Sequence, residues 1–315
     1  MLPSYDACLA YRTSVLSFSP GQAPEAKAEQ PACRPVRQLN EAQRHSLSTS
    51  TVGAAGTKSS VAAVKSGLRD TYEQVGGYDA TRMVLDDQDL MCRLFLAGDF
   101  HRIPRCLYMQ RMHPDNTQRD TEINAHIQRE TVALYDKYIE PSALAWTKRR
   151  GLLALDLGAA HRKPPGYLGV DQYARDGVDI VATLPAPLDL PDDSVGLLRA
   201  VDFLEHVPAK VPLINELYRL LAPGGMLLTL TPSSDGRGAY QDPTHVAYYN
   251  ENSFWYYTDN QYRAFVPEIQ ARFQNSRLVT YFPTDWHSRN QISYVQANLI
   301  AMKDGAERCG GPLLV

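Results

Sequence analysis

The chain has 315 residues, of which 44% are hydrophobic and 21% charged, with a formal net charge of −3. That balance is ordinary for a globular protein of up to two domains and excludes a globally basic nucleic-acid or anionic-membrane binder. Five scattered cysteines (Cys8, Cys33, Cys92, Cys106, Cys309) without a CxxC pair exclude a disulfide framework and a cysteine-rich zinc site, and no run approaches a membrane span.

No basic region followed by an apolar run opens the chain, so no secretory signal is expected and the expected compartment is a reducing cytoplasm. Residues 1–60 are rich in Ala, Ser, Gln, Pro and Gly and poor in large apolar side chains. Such a composition buries little, and an irregular or partly disordered leader is expected. From about Val61 the pattern sharpens. In "GGYDATRMVLDDQDLMCRLFLAGDFHRIPRCLYMQRMHPDN" a Gly-Gly turn precedes an acidic cluster and a helical stretch with Leu90, Cys92, Leu94 and Phe95 on one side. "FHRIPRCLYMQRMH" alternates as a strand does. "NAHIQRETVALYDKYI" reads as an amphipathic helix with Ile127, Val132, Leu134 and Tyr138 inward, ended by Pro141. The basic run Lys148-Arg149-Arg150 reads as a solvated boundary.

After Gly151 strands alternate with helices. "LLALDLG", "GYLGVD", "VDIVATL", "VGLLRAVDFL" and "MLLTLTP" read as five strands, "VPLINELYRLL" as a helix closed by "APGG", and "RLVTYFP" and "ISYVQANLIAMK" as two closing strands. The expected fold is α/β: a Rossmann-like, mainly parallel sheet with antiparallel closing strands, plus a smaller N-terminal α/β segment. Ligands of such sheets sit beyond the carboxyl ends of the strands. Three features converge there. Small residues after Asp156, namely Gly158, Ala159 and Ala160, let a ligand approach the backbone. Asp171 ends the second strand, where a carboxylate can accept both hydroxyls of a ribose. Asp202 follows the fourth strand and leads into "FLEHV".

The string "LDLGAA…GYLGVDQY…VDIVATL…LDLPDDSVGLLRAVDFLEHVP…INELYRLLAPGGMLLTLTPS", with the later Asp242-Pro243-Thr244-His245, resembles the class I S-adenosylmethionine-dependent methyltransferases. The resemblance covers roughly residues 150–303. It implies S-adenosylmethionine as cofactor, Asp156, Gly158 and Ala159 in the cofactor loop, Asp171 on the ribose, Leu184 near the adenine and Asp202 beside the methionine end. The chain departs from the family where Gly158 is followed by two alanines and where Thr183 stands at a frequent acid position. The gap between the first two strands is also shorter than the dozen or so residues of an ordinary parallel crossover.

Methyl transfer is an in-line displacement in which the acceptor must be oriented and deprotonated. His245 is the candidate base, and Asp242 would orient it or hold a metal. "AYYNENSFWYYT" would form a lid or an acceptor wall. The alternative is that His245 caps a turn and the aromatics are core. Asp242, His245 and His206 could in principle hold a divalent metal, but their spacing is not diagnostic and no metal is expected.

Residues 60–140 resemble the acceptor-side end of family-two glycosyltransferases of the GT-A type, on "GGYD", "DDQDL" and "YMQRMH". That resemblance implies Asp87 as catalytic base, Asp86 and Asp89 in support, and His113 near a metal-diphosphate. The donor-binding half and its Asp-x-Asp motif are missing, and the alternative is a helix first turn favoured by the dipole. The expected divisions are a leader 1–60, a truncated glycosyltransferase-like segment 61–147, a methyltransferase-like domain 148–303 and a tail 304–315. The expected function is O-methylation of a glycan or small hydroxylated acceptor, with no nucleic-acid partner and room for a homodimer. The rivals are a glycosyltransferase completed in trans and a non-catalytic scaffold.

Overall fold

The computed structural model describes residues 16–19, 69–102 and 120–303. Most of the expected leader, the tail 304–315 and His113 lie outside them. The chain divides into two compact units, residues 1–79 with 93–110, and residues 80–92 with 111–315. In the first unit β1 (Leu16–Ser19) pairs antiparallel with β2 (Asp99–Arg102). The Gly76-Gly77 turn has both residues at positive φ, and the Arg93 guanidinium closes it by donating to the Val75 carbonyl at 2.5 Å.

The second unit is built on a seven-stranded sheet of order β5-β4-β3-β6-β7-β9-β8. Its strands are β3 (Leu153–Leu157), β4 (Leu168–Asp171), β5 (Ile180–Val181), β6 (Val195–Val201), β7 (Leu221–Pro232), β8 (Phe273–Tyr281) and β9 (Tyr294–Ala301). The first five run parallel, and β9 pairs antiparallel with both β7 and β8. This is the Rossmann-like mixed sheet expected, with its closing strands at one edge. The "APGG" run ends the preceding helix and is then taken into β7 as a bulge, so the register with β6 jumps from Val195↔Leu221 to Leu197↔Met226.

Period-two alternation splits the strands between two cores. Leu155, Leu157, Leu198, Ala200, Leu227, Val295 and Leu299 face one way, onto the helices Lys210–Leu220 and Glu251–Thr258 through Leu213, Leu217, Phe254 and Tyr257. Ala154, Leu197, Met226, Leu228 and Ile300 face the other way, onto Tyr135, Ile139 and Ala143. Those three belong to one long helix, Thr121–Arg149, which starts at the Asp120 cap, whose carboxylate accepts from Glu122 and Ile123 N–H at 3.0 Å.

That helix corrects two expectations. Pro141 does not end it but lies inside it. A proline deprives the helix of one hydrogen bond, and the deficit is outweighed because Ser142, Ala143, Trp146 and Thr147 beyond it are all buried. Val132, expected inward, is exposed, whereas Leu134 and Tyr138 are buried as expected. The last turns press onto β6 at Gly196, where a Cβ would stand 2.5 Å from Thr147 Oγ1. Among the described residues no helix is long and apolar enough to cross a membrane.

We number the helices α1 (Asp86–Ala97), α2 (Thr121–Arg149), α3 (Lys210–Leu220), α4 (Gly238–Gln241), α5 (Glu251–Thr258), α6 (Asn260–Arg263) and α7 (Asp285–Arg289). The α1 first turn carries Asp86, Asp87 and Asp89. Asp89 is buried and accepts from the Tyr138 hydroxyl at 2.9 Å, with Arg82 and Lys137 beside it at 3.7 and 3.5 Å. Its surroundings are those of a packing anchor between α1 and α2.

On the α2 face, Asp156 is buried and bound by Arg199 Nη1 at 2.7 Å, with Glu140 of α2 at 3.6 Å from the same guanidinium. Burial pushes the Asp156 carboxyl up, and Arg199 offsets part of the shift. Arg199→Ala leaves this carboxylate buried and unpaired, and a loss of about 3 kcal/mol at pH 7 is expected. The folded-state pKa of Asp156 rises further in the variant. Its stability therefore falls as pH rises from about 4, and the deficit shrinks when Asp156 is protonated in both states. Urea unfolding of both proteins at pH 4 and pH 7 measures the difference; an equal deficit at the two pH values would show that Asp156 is not the cause.

Candidate active site

At the carboxyl ends of β3, β4 and β5 a cavity of about 110 Å³ opens between Gly158, Val170, Asp171, Gln172, Ala182, Thr183, Leu184 and Phe203. The turn after β3 makes its floor. Gly158 has φ +74° and donates its N–H to the Val170 carbonyl at 2.8 Å. A Cβ on Gly158 would stand 2.8 Å from Phe203 Cδ2, so only glycine lets the Phe203 ring lie this close to the turn. Residues 158–167 join β3 to β4 without a helix, and the strands still pair in parallel. Ala160, where the family pattern favours glycine, takes the same left-handed conformation at φ +46°.

Asp171 sits where the second strand ends. Its Oδ2 accepts from the Ala160 amide at 3.1 Å and its Oδ1 from the Tyr173 amide at 2.9 Å. These bonds fix the carboxylate at the mouth of the cavity and leave each oxygen a lone pair. Of the residues the sequence singled out for the cofactor, Gly158, Asp171 and Leu184 therefore meet around one space. Asp156 and Ala159 do not line it: Asp156 faces α2, by the alternation of β3. Gln172 and Ala182 were not singled out, whereas Phe203 opens the "FLEHV" run that the resemblance puts, with Asp202, beside the methionine end.

A second group of side chains follows Phe203. The 3₁₀ turn Leu204–His206 carries Glu205 and His206, and the loop 242–247 folds over it through Val246 and Ala247 N–H bonds to the Glu205 carbonyl, both 2.9 Å. The rings of His206 and His245 meet edge to face at 5.0 Å. Thr244 closes the link: its hydroxyl donates to Asp242 Oδ1 at 2.6 Å, and His206 Nδ1 lies 3.1 Å from that hydroxyl and 3.2 Å from the Thr244 carbonyl. Asp242 thus orients His206 through Thr244, whereas the sequence pointed to His245 as its partner. The Thr244 bonds hold the Asp242 carboxyl below the usual range. His245 Nδ1 is 3.1 Å from the Ala239 carbonyl. Asp202, at φ +48°, directly follows β6, and desolvation pushes its carboxyl up. Asp87, which accepts only a local bond from the Gln88 amide at 2.8 Å, belongs to neither group.

Glu205 was not read from the sequence. Its carboxyl is 1% exposed, accepts from the Thr231 hydroxyl at 2.5 Å through Oε2, and is pushed up by burial. The only signal for it is its place in "LEHV", beside a histidine.

Residues 159–229 match the family model of a methyltransferase domain. The match covers under a quarter of the chain; what it supports is the general class of S-adenosylmethionine-dependent methyltransferases, with S-adenosylmethionine as cofactor. The match does not extend to residues 61–147, and nothing compared with the chain supports a glycosyltransferase there. No curated protein sequence matches. Among solved structures, the chain is similar to a methyltransferase from Methanosarcina mazei at 14% identity, over 48% of this chain and 92% of that one, with a TM-score of 0.35. One from Mesorhizobium loti gives 16% identity, 48% and 91% coverage and a TM-score of 0.31. An arsenic(III) methyltransferase from Chlamydomonas reinhardtii gives 17%, 50%, 65% and 0.32.

The cavity fits the cofactor class on its own geometry. Gly158 provides a cradle that any Cβ would fill, Asp171 holds two oriented carboxylate oxygens, and Ala182 and Leu184 supply an apolar wall. Two substitutions separate the contributions. Gly158→Ala should weaken S-adenosylhomocysteine binding at least tenfold, because the strained turn and the displaced Phe203 both close the space. Ala160→Gly should bind as wild type or better, since glycine removes a left-handed strain of about 1 kcal/mol. Calorimetric titration measures both, and equal affinity in Gly158→Ala would show that the turn is not the cradle.

Proposed function

We propose that the domain methylates a hydroxyl oxygen of a polyhydroxylated acceptor of the glycan class. The observation that carries the reading is the exposed aromatic surface around His245. Tyr240 is 62% exposed and packs on Tyr248 at a ring distance of 5.0 Å, and the Tyr248 hydroxyl reaches the His245 carbonyl at 3.4 Å. Trp255, Tyr256 and Tyr262 form a further exposed group on α5 and α6, with ring distances of 5.3 and 5.7 Å. Flat exposed aromatic faces suit the apolar C–H faces of sugars.

The chemistry divides between the two groups of residues. Asp171 would accept the ribose hydroxyls, and Ala182 and Leu184 would pack against the base. S-adenosylmethionine, when bound, would supply the methyl group as a sulfonium electrophile, and the acceptor hydroxyl would have to give up its proton. The imidazole pair is where this chain handles it. With Nδ1 of each ring directed to a backbone carbonyl, the neutral rings carry their lone pair on Nε2. Aromatic residues 240–262 orient the acceptor, which is where proximity contributes most.

The test is transfer of labelled methyl groups from S-adenosylmethionine to a panel of glycans, amines and thiols. Label in glycan hydroxyls is expected, and label confined to amines or thiols would overturn the acceptor assignment. His245→Ala should lower kcat about 100-fold, the lower range for acid–base groups, while Tyr240→Ala should act mainly on KM. Asp171→Ala should lose S-adenosylhomocysteine binding; unchanged binding there would remove the cavity from the reading.

A further inference from the structure

We infer that Glu205, His206 and His245 form a divalent-metal site of the mixed nitrogen–oxygen type, suited to Zn²⁺, Mn²⁺ or Co²⁺. One ligand atom from each residue lies within 4.8 Å of the others. Metal–ligand bonds of about 2.0–2.2 Å place two ligands of one ion at most ~4.4 Å apart. The trio therefore closes on an ion by a small side-chain shift. Proximity of three such residues would not suffice, but two further observations point to a ligand.

The first is an orphan. Glu205 Oε2 is taken by the Thr231 hydroxyl at 2.5 Å, while Oε1 is buried and has no hydrogen-bond partner. A buried carboxylate oxygen left unpaired is costly, and native structures seldom keep one without an ion or ligand to explain it. The second is the state of both imidazoles. His206 Nδ1 is held by the Thr244 carbonyl and hydroxyl, and His245 Nδ1 by the Ala239 carbonyl. Nδ1–H donors facing carbonyls fix the tautomer whose remaining nitrogen is a lone-pair donor, which is how metal-binding histidines are oriented by their surroundings. Asp242 extends the same support by accepting from the Thr244 hydroxyl at 2.6 Å. His206 is exposed and His245 half-buried, so an ion held here keeps coordination positions open to solvent and to an acceptor.

Such an ion deepens the function proposed above and rests on it. With both Nε2 lone pairs on the metal, the imidazoles act as ligands in place of acting as the base, and a hydroxyl or a pair of vicinal hydroxyls bound to the metal is oriented and acidified enough to lose its proton to solvent. Two carboxylate-bearing motifs, "LEHV" and "DPTH", then serve one site. Glu205 and the two histidines touch the ion, whereas Asp242 and Thr244 position His206.

The test uses the untagged full chain, stripped with chelator and titrated with Mn²⁺, Co²⁺ and Zn²⁺ by calorimetry, with Co²⁺ followed by its visible absorption. One ion per chain is expected, with a Co²⁺ spectrum perturbed by imidazole ligands. His206→Ala, at an exposed position, and His245→Ala should each weaken binding at least tenfold; Thr244→Val should weaken it less. Glu205→Gln is a further variant, read only where its circular dichroism matches wild type. No binding, or binding unchanged in both histidine variants, overturns the site. S-adenosylhomocysteine titration of the stripped chain keeps the two readings apart. Cofactor binding without metal binding sinks the metal site alone, and metal binding without cofactor binding supports the site while sinking the function it was to serve.

Discussion

A mainly parallel sheet must be covered on both faces, and the rest of the second unit depends on how that is met. The helix Thr121–Arg149 shields one face and α3 and α5 the other. With both faces dry, the sheet is rigid enough to present the carboxyl ends of β3, β4, β5 and β6 as one fixed edge. The cavity and the histidine pair both stand on that edge. The same constraint explains the close contact at Gly196, where the end of α2 lies so near β6 that no larger residue fits. It also explains why a proline in mid-helix is tolerated: burial of Ser142, Ala143, Trp146 and Thr147 beyond it outweighs one missing bond.

Strand alternation then decides which acidic residues face the ligand edge and which face the core. Asp156 precedes the glycine turn by two residues, yet its side chain is spent inside the molecule on Arg199. Asp171, at the end of its strand, is instead held by two loop amides and remains open to the cavity. The short connection 158–167 makes this possible. Because no helix intervenes, the Ala160 amide reaches back directly to the Asp171 carboxylate. The alanines that depart from the glycine-rich pattern do not fill the cavity, since Gly158 alone makes the close approach to Phe203.

The histidine group has a different origin. Glu205 and His206 come from a 3₁₀ turn after β6, and His245 from a loop 39 positions later in the chain. Backbone bonds from Val246 and Ala247 to Glu205 lay the loop on the turn. Thr244 then locks His206 in orientation. The aromatic tract that follows splits in two: Tyr249, Phe254 and Tyr257 enter the core, while Tyr248, Trp255 and Tyr256 stay exposed. The core expectation thus holds for part of the tract, because α5 is a surface helix with one face on the sheet and one in solvent.

By itself the sequence determined the strands after residue 150, the antiparallel closing pair and the positions of Gly158 and Asp171 at strand ends. These follow from local periodicity and turn chemistry, which a linear chain displays openly. The expected alternation with helices fails for the first four of those strands, which follow one another without a helix between them. Only the tertiary structure decided that Asp156 points away from the cavity, that α2 continues past Pro141, that Asp242 acts on His206, and that Glu205 joins the two histidines. Each of these depends on strand parity, on a buried face supplied by another element, or on hydrogen bonds between distant segments. A one-dimensional pattern states which residues tend to be buried; it does not state which buried side chains meet.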